Sequence, residues 1–89
     1  MFVSQPRTPF VMLLIEAAEG EKVSFFRSVK AHGIEVKIYF TGKKVMLAKF
    51  EGRSLIEFQA WHRRDNESLL GVEGSITESL RRNAFQLTH

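Results

Sequence analysis

The residues able to do chemistry are few and far apart. The stretch "GRSLIEFQAW" (52–61) places Ser54 at the mouth of an apolar run, with Glu57 three residues on. That spacing predicts a capping box, in which the hydroxyl accepts from the N3 amide and the carboxylate reaches back to the cap amide. A phosphate on such a serine would sit in the favourable field of a helix N-terminus, with Arg53 beside it to pair. His32, His62 and His89 are widely separated. "HRRD" (62–65) superficially matches a kinase catalytic loop, but no glycine-rich phosphate loop accompanies it. The chain has no cysteine, which removes disulfides, thiolate zinc sites and a cysteine nucleophile together. No HExxH, Walker sequence or carboxylate pair appears. The residues therefore read as a protein that is not an enzyme and carries no cofactor and no metal.

What remains is binding chemistry. Trp61 is of a type enriched at binding hot spots, although its spacing from Phe58 also suits a core. Arg63-Arg64 and Arg81-Arg82 form basic pairs, and Lys22, Arg27 and Lys30 add to one surface if the fold brings them together. The 13 lysines and arginines are otherwise scattered, and the net charge is only +3. That implies weak attraction to acidic surfaces, whether nucleic acid or an acidic protein patch. A dedicated nucleic-acid reader shows a denser basic stripe interleaved with aromatics.

At 89 residues the chain is one domain with one modest core. Its hydrophobic share of 44% and charged share of 26% argue against disorder. Eight phenylalanines are how so short a chain fills its interior. "PRTPFVMLLIEAAEG" loosely imitates a secretory signal, but its unbroken apolar run is only Phe10 to Ile15 and ends at Glu16. No stretch has the length of a membrane span. With no cysteine, the reading is a cytoplasmic protein.

The elements follow from periodicity. Residues 1–8 read as a loose leader and 9–89 as the domain. Phe10 to Ile15, apolar on both faces, reads as a central strand. Val23, Phe26 and Val29, with Phe25 beside them, recur at helical spacing before Gly33, which suits a left-handed C-cap. Glu19 and Glu21 ahead, Lys30 and His32 behind, match that helix's dipole. "IEVKIYF" alternates as a half-buried strand, Thr41-Gly42 begins a turn, and "KKVMLAKF" returns as the hairpin partner. Ser54 then opens a helix with Leu55, Phe58 and Trp61 on its apolar side. "SLLGVEG" reads as a short last strand. Ser75 and Glu78 repeat the capping spacing before a final helix carrying Ile76, Leu80, Ala84 and Leu87. The order β-α-β-β-α-β-α predicts an α+β open-faced sandwich, its helices on one face of a single sheet. A ferredoxin-like arrangement uses nearly the same elements.

In that order the chain resembles the HPr phosphocarrier family of the sugar phosphotransferase system, over roughly Pro9 to Leu87. "GKKVMLAK" (42–49) is similar to the family's hairpin, "RSLIEFQAW" (53–61) to its second helix, and "VEGSITESL" (72–80) to its last strand and final helix entry. The segment from Gly42 to Ser54 is several residues longer than the family's, which makes "FEGR" an insertion. HPr carries a Gly-Leu-His-Ala-Arg-Pro-Ala stretch whose histidine takes the phosphate. The corresponding stretch is "EAAEGEK", with Ala18 where that histidine would stand and Glu16, Glu19 and Glu21 around it. The resemblance therefore implies an HPr-like scaffold that has lost its phosphocarrier chemistry.

The resemblance also implies that Ser54 matches the regulatory serine of the Gram-positive members. It further implies that partners dock on the surface of the first two helices. The expected partner-binding residues are then Arg27, Lys30, Arg53, Ser54, Trp61, Arg63 and Arg64. The expected function is binding or regulation of a protein partner without catalysis. The alternatives are a small basic nucleic-acid-binding domain and a small accessory or viral inhibitor of a host enzyme.

Overall fold

Four antiparallel strands make one sheet, in the spatial order of the chain, with a helix on each face. The computed structural model describes residues 9–65 and 67–87; the leader at 1–8 and His89 lie outside them. The elements are α1 (Phe10–Ala18), β1 (Ser24–Ala31), β2 (Ile34–Phe40), β3 (Lys44–Glu51), β4 (Ser54–His62) and α2 (Leu69–Leu87). The sheet order is β1-β2-β3-β4, which leaves β1 and β4 as its edges. The order α-β-β-β-β-α replaces the expected β-α-β-β-α-β-α, and with it both the HPr-like sandwich and the ferredoxin-like alternative.

The turns explain the meander. His32 and Gly33 both have positive φ (53° and 83°), as a two-residue hairpin turn of the primed kind requires. Gly33 thus needs a left-handed backbone, but for a hairpin and not for a helix end. Between β2 and β3, the Thr41 N–H donates to the Lys44 carbonyl at 2.9 Å. The buried Thr41 hydroxyl accepts from the Lys43 and Lys44 amides at 3.1 and 2.9 Å. Gly52 takes φ 63° at the turn from β3 to β4.

The central hairpin forms as its alternation predicts. Val36 and Ile38 of β2 and Val45 of β3 point to one face, where Ile38, Val45 and Val72 of α2 make the inner core. Phe26, Val29, Leu47, Trp61, Leu69 and Ile76 pack around it. Met46 and Ala48, both fully buried, point to the other face. There α1 lays Phe10 against Tyr39 and Phe50, at ring distances of 5.5 and 5.3 Å, and buries Leu14 and Ala18.

Four readings of the sequence are corrected. The apolar run Phe10 to Ile15 is α1, not a strand: it is apolar all round, so periodicity could not separate the two. The helix expected over 20–32 is β1. A bulge between Phe25 and Arg27 turns Phe26 and Val29 to the same side although they are three positions apart, which imitates helical spacing. The helix expected from Ser54 is β4, and the cause is the same. A bulge at Ile56 brings Leu55 and Phe58 onto one face, while Trp61 faces α2 from the other. Lastly, "SLLGVEG" is not a strand but the start of α2. Ser68 caps that helix, its hydroxyl accepting from the Gly71 N–H at 2.9 Å. Ser75 and Glu78 fall within the helix and cap nothing.

Candidate binding surfaces

The expected partner-binding residues do not form one surface. Lys30, Arg53 and Ser54 stand at the end of the sheet made by the β1–β2 and β3–β4 turns, whereas Trp61, Arg63 and Arg64 stand at the opposite end. About nine residues of strand separate the groups, roughly 30 Å. Arg27 lies on the α2 side of the sheet, where its half-exposed guanidinium pairs with Glu73 at 3.1 Å. It is a tie between β1 and the helix. Trp61 is half-buried, and its indole N–H donates to the Glu67 carboxylate at 3.0 Å. Ser54 lies exposed opposite Glu51 at the start of a strand, so it has no helix to cap and no helix field to hold a phosphate.

The acidic stretch 16–22 is also placed differently. It ends α1 and forms the following turn, with Glu19 in the left-handed position (φ 50°). No helix starts there, which removes the geometry on which its comparison with a phosphate-accepting loop rested. Instead, Lys44 of β3 reaches under the end of α1. Its ammonium donates to the Ala17 carbonyl at 2.8 Å and to the Glu19 carboxylate. A cation at a helix C-terminus is where the macrodipole favours one. The Lys44 hydrogen bond, then its charge, hold the Glu19 carboxyl below its usual range; burial opposes this slightly, and His62 and Lys43 add to it.

Two surfaces do gather related side chains. The first is apolar. The inner side of α1 is occupied by Phe10, Leu14 and Ala18, four residues apart. That turns Val11, Met12 and Ile15 outward, and they are 56%, 44% and 56% exposed. A row of rings continues from its base across the sheet: Phe50 and Tyr39 flank Phe10, and Phe25, itself 55% exposed, meets Tyr39 at 5.2 Å. Burial in that row, then the charge of Glu35, raises the Tyr39 phenol above its ordinary value. Lys37 lies over the Phe50 ring at 5.2 Å. No run of charge marked this surface in the sequence; its signal is a nine-residue helix with hydrophobic residues on both sides.

The second surface is basic. Where β4 leaves the sheet, Lys43, His62, Arg63 and Arg64 line one shallow pocket together with Asp65 and Glu67. The ion pairs among the described residues are Arg27–Glu73, Lys44–Glu19 and Lys49–Glu57, and none uses Lys43, Arg63 or Arg64. Glu67 is occupied by the Trp61 indole and the Arg64 amide.

Among the described residues no helix is long and apolar enough to cross a membrane. No family model matches the chain, and no curated protein and no solved structure matches it significantly.

Proposed function

We propose that this chain is a non-catalytic module that binds or regulates a protein partner, and that the partner rests on the outward side of α1 and the ring row beside it. The observation that carries the reading is the exposure of Val11, Met12 and Ile15 on one side of one short helix. Scattered exposed hydrophobics need no explanation, but a contiguous set marks an interaction surface. Phe25 and Tyr39 add the aromatic character typical of interface centres. The partner's contribution is an apolar patch of matching size, since residues 10–15 carry no charge. A cytoplasmic setting belongs to the same proposal; the cysteine-free composition supports it.

A photo-crosslinking residue in place of Met12 tests this in the cell of origin. The expected product is one discrete adduct with another protein, lost when Val11→Glu is added. A crosslinker at Glu35 serves as control. Adducts only within the chain, or the same adduct from Glu35, would overturn the reading.

The basic pocket favours a second reading, the small nucleic-acid-binding domain. Its phosphate contacts would be Lys43, Arg63 and Arg64. Each contact contributes about −0.9 to the slope of log affinity against log salt on duplex DNA. Arg63→Ala with Arg64→Ala should then flatten that slope by about 1.8. No measurable binding at low salt removes this reading.

A further inference from the structure

We infer that β4 is the seam of a homodimer, pairing antiparallel with β4 of a second copy about a two-fold axis at Ala60. The proposal goes beyond the α1 reading and uses a different surface.

The two edges of the sheet are not equally protected. α2 packs over β1 and is fastened to it by Arg27–Glu73, whereas α1 packs more sparsely over β3 and β4 and makes no ion pair to β4 among the described residues. β4 is the longest strand at nine residues, and residues 54–61 contain no Lys, Arg, Pro or Gly. Lys and Pro are the residues that most often guard an open edge; β4 carries a single charge, Glu57, and one bulge. Its single irregularity, the bulge at Ile56, leaves 57–62 regular.

The hydrogen-bond phase of that regular part is set. The Arg63 N–H donates inward to the Lys43 carbonyl at 2.8 Å. Inward and outward residues alternate along an antiparallel strand, so Trp61 and Gln59 also bond inward, to β3. Phe58, Ala60 and His62 therefore direct their amides and carbonyls out of the sheet. These three are symmetric about Ala60. A second copy can exchange both bonds between the two Ala60 residues and both between Phe58 and the partner's His62, with no shift of register.

Side chains agree with this register. The axis falls on alanine, the smallest of them. Phe58 meets the partner's His62 on the α1 face, and Gln59 meets the partner's Trp61 on the α2 face. Glu57 faces the partner's Arg63, opposite charges directly across the strands. Glu57 already has Lys49 on its other side at 3.7 Å, so a second cation would bracket it. No like charges oppose one another. A second copy satisfies this edge in charge, size and hydrogen-bond phase together.

Sedimentation equilibrium over a concentration series tests the seam. The native chain should show twice its monomer mass. Ala60→Pro removes an N–H that the chain itself does not use, so circular dichroism should be unchanged while the dimer weakens at least about tenfold. Arg63→Glu should weaken it roughly tenfold, and the exchange Glu57→Arg with Arg63→Glu should restore it. A native chain still monomeric at about 1 mM overturns the proposal. So does a dimer undiminished by Ala60→Pro in a folded variant. If Ala60→Pro disturbs the fold, the charge exchange decides, and failure to rescue overturns the seam.

Discussion

α1 and α2 lie on opposite faces of one sheet and treat apolar residues differently. α2 buries Val72 and Leu80, half-buries Ile76, and beyond its first turn, where Leu70 is exposed, turns Ser75, Glu78, Arg81 and Arg82 to solvent. α1 has half its length, buries Leu14 and Ala18, and turns Val11, Met12 and Ile15 to solvent. A helix that only closes a core has the pattern of α2 beyond Leu70. The outer residues of α1 do nothing for the core, so their type answers to something outside it. Sheet geometry sharpens the contrast. A helix about 10 Å across covers roughly two strands spaced about 4.8 Å apart, so one helix per face leaves half of each face to be closed by side chains alone.

The strongest way to break the comparison is to show that the two faces are not one cooperative unit. Ile38 lies fully buried on the α2 side and Met46 fully buried on the α1 side. Ile38→Ala and Met46→Ala should each lower stability by about 3 kcal/mol, seen as an earlier midpoint with unchanged slope in urea. A reduced slope for Met46→Ala alone would mean that the α1 layer melts separately.

Next in size is the start of α2. Ser68→Ala should cost about 1 kcal/mol by removing the acceptor for the Gly71 amide. Ser54→Ala, on an exposed strand position, should change stability by less than about 0.5 kcal/mol. Equal losses would return Ser54 to the capping role that its spacing suggested.

The outer side of α1 gives the sharpest version. Val11→Glu with Ile15→Glu should leave the denaturation midpoint within about 0.5 kcal/mol of the native chain and remove the crosslink from position 12. A large destabilisation would mean that those residues support the fold, and would leave the α1 reading without its basis.

How far the sequence could be read depends on where the strands are regular. β2 alternates without interruption and β3 returns from it through a short turn, and both are found where those signals put them. β1 and β4 each carry a bulge, and each bulge converts a two-residue period into a three-residue one: Phe26 to Val29, and Leu55 to Phe58. Period-based reading sees a helix in both places. A helix start at Ser54 implies a phosphate site there and a surface joining Arg53 to Arg63; the strand instead holds those residues apart. The signal in favour of strands was present but local: His32-Gly33 and Gly52-Arg53 are two-residue turns between apolar runs. The apolar surface of α1 could not be read at all, because an unbroken apolar run does not say which of its residues face inward.

The smallest expected effect tests whether the ring row closes over its part of the sheet. Tyr39 is the single tyrosine, so its ionisation can be followed without ambiguity. Burial among the rings, then Glu35, holds its pKa above 10.0 in the fold. The folded state therefore keeps the proton that the unfolded chain gives up near 10. This contribution to stability is complete below pH 10 and is lost as the pH rises through the folded value. Phenolate absorbance should show a midpoint above 10.0 in the native chain and near 10 in denaturant, and Tyr39→Phe should remove that part of the alkaline slope. Equal midpoints would mean that water reaches Tyr39 between Phe10 and Phe25. The apolar surface would then end at α1 itself. A partner covering the row should raise the native midpoint further, whereas pairing at β4, which touches none of these rings, should leave it unmoved.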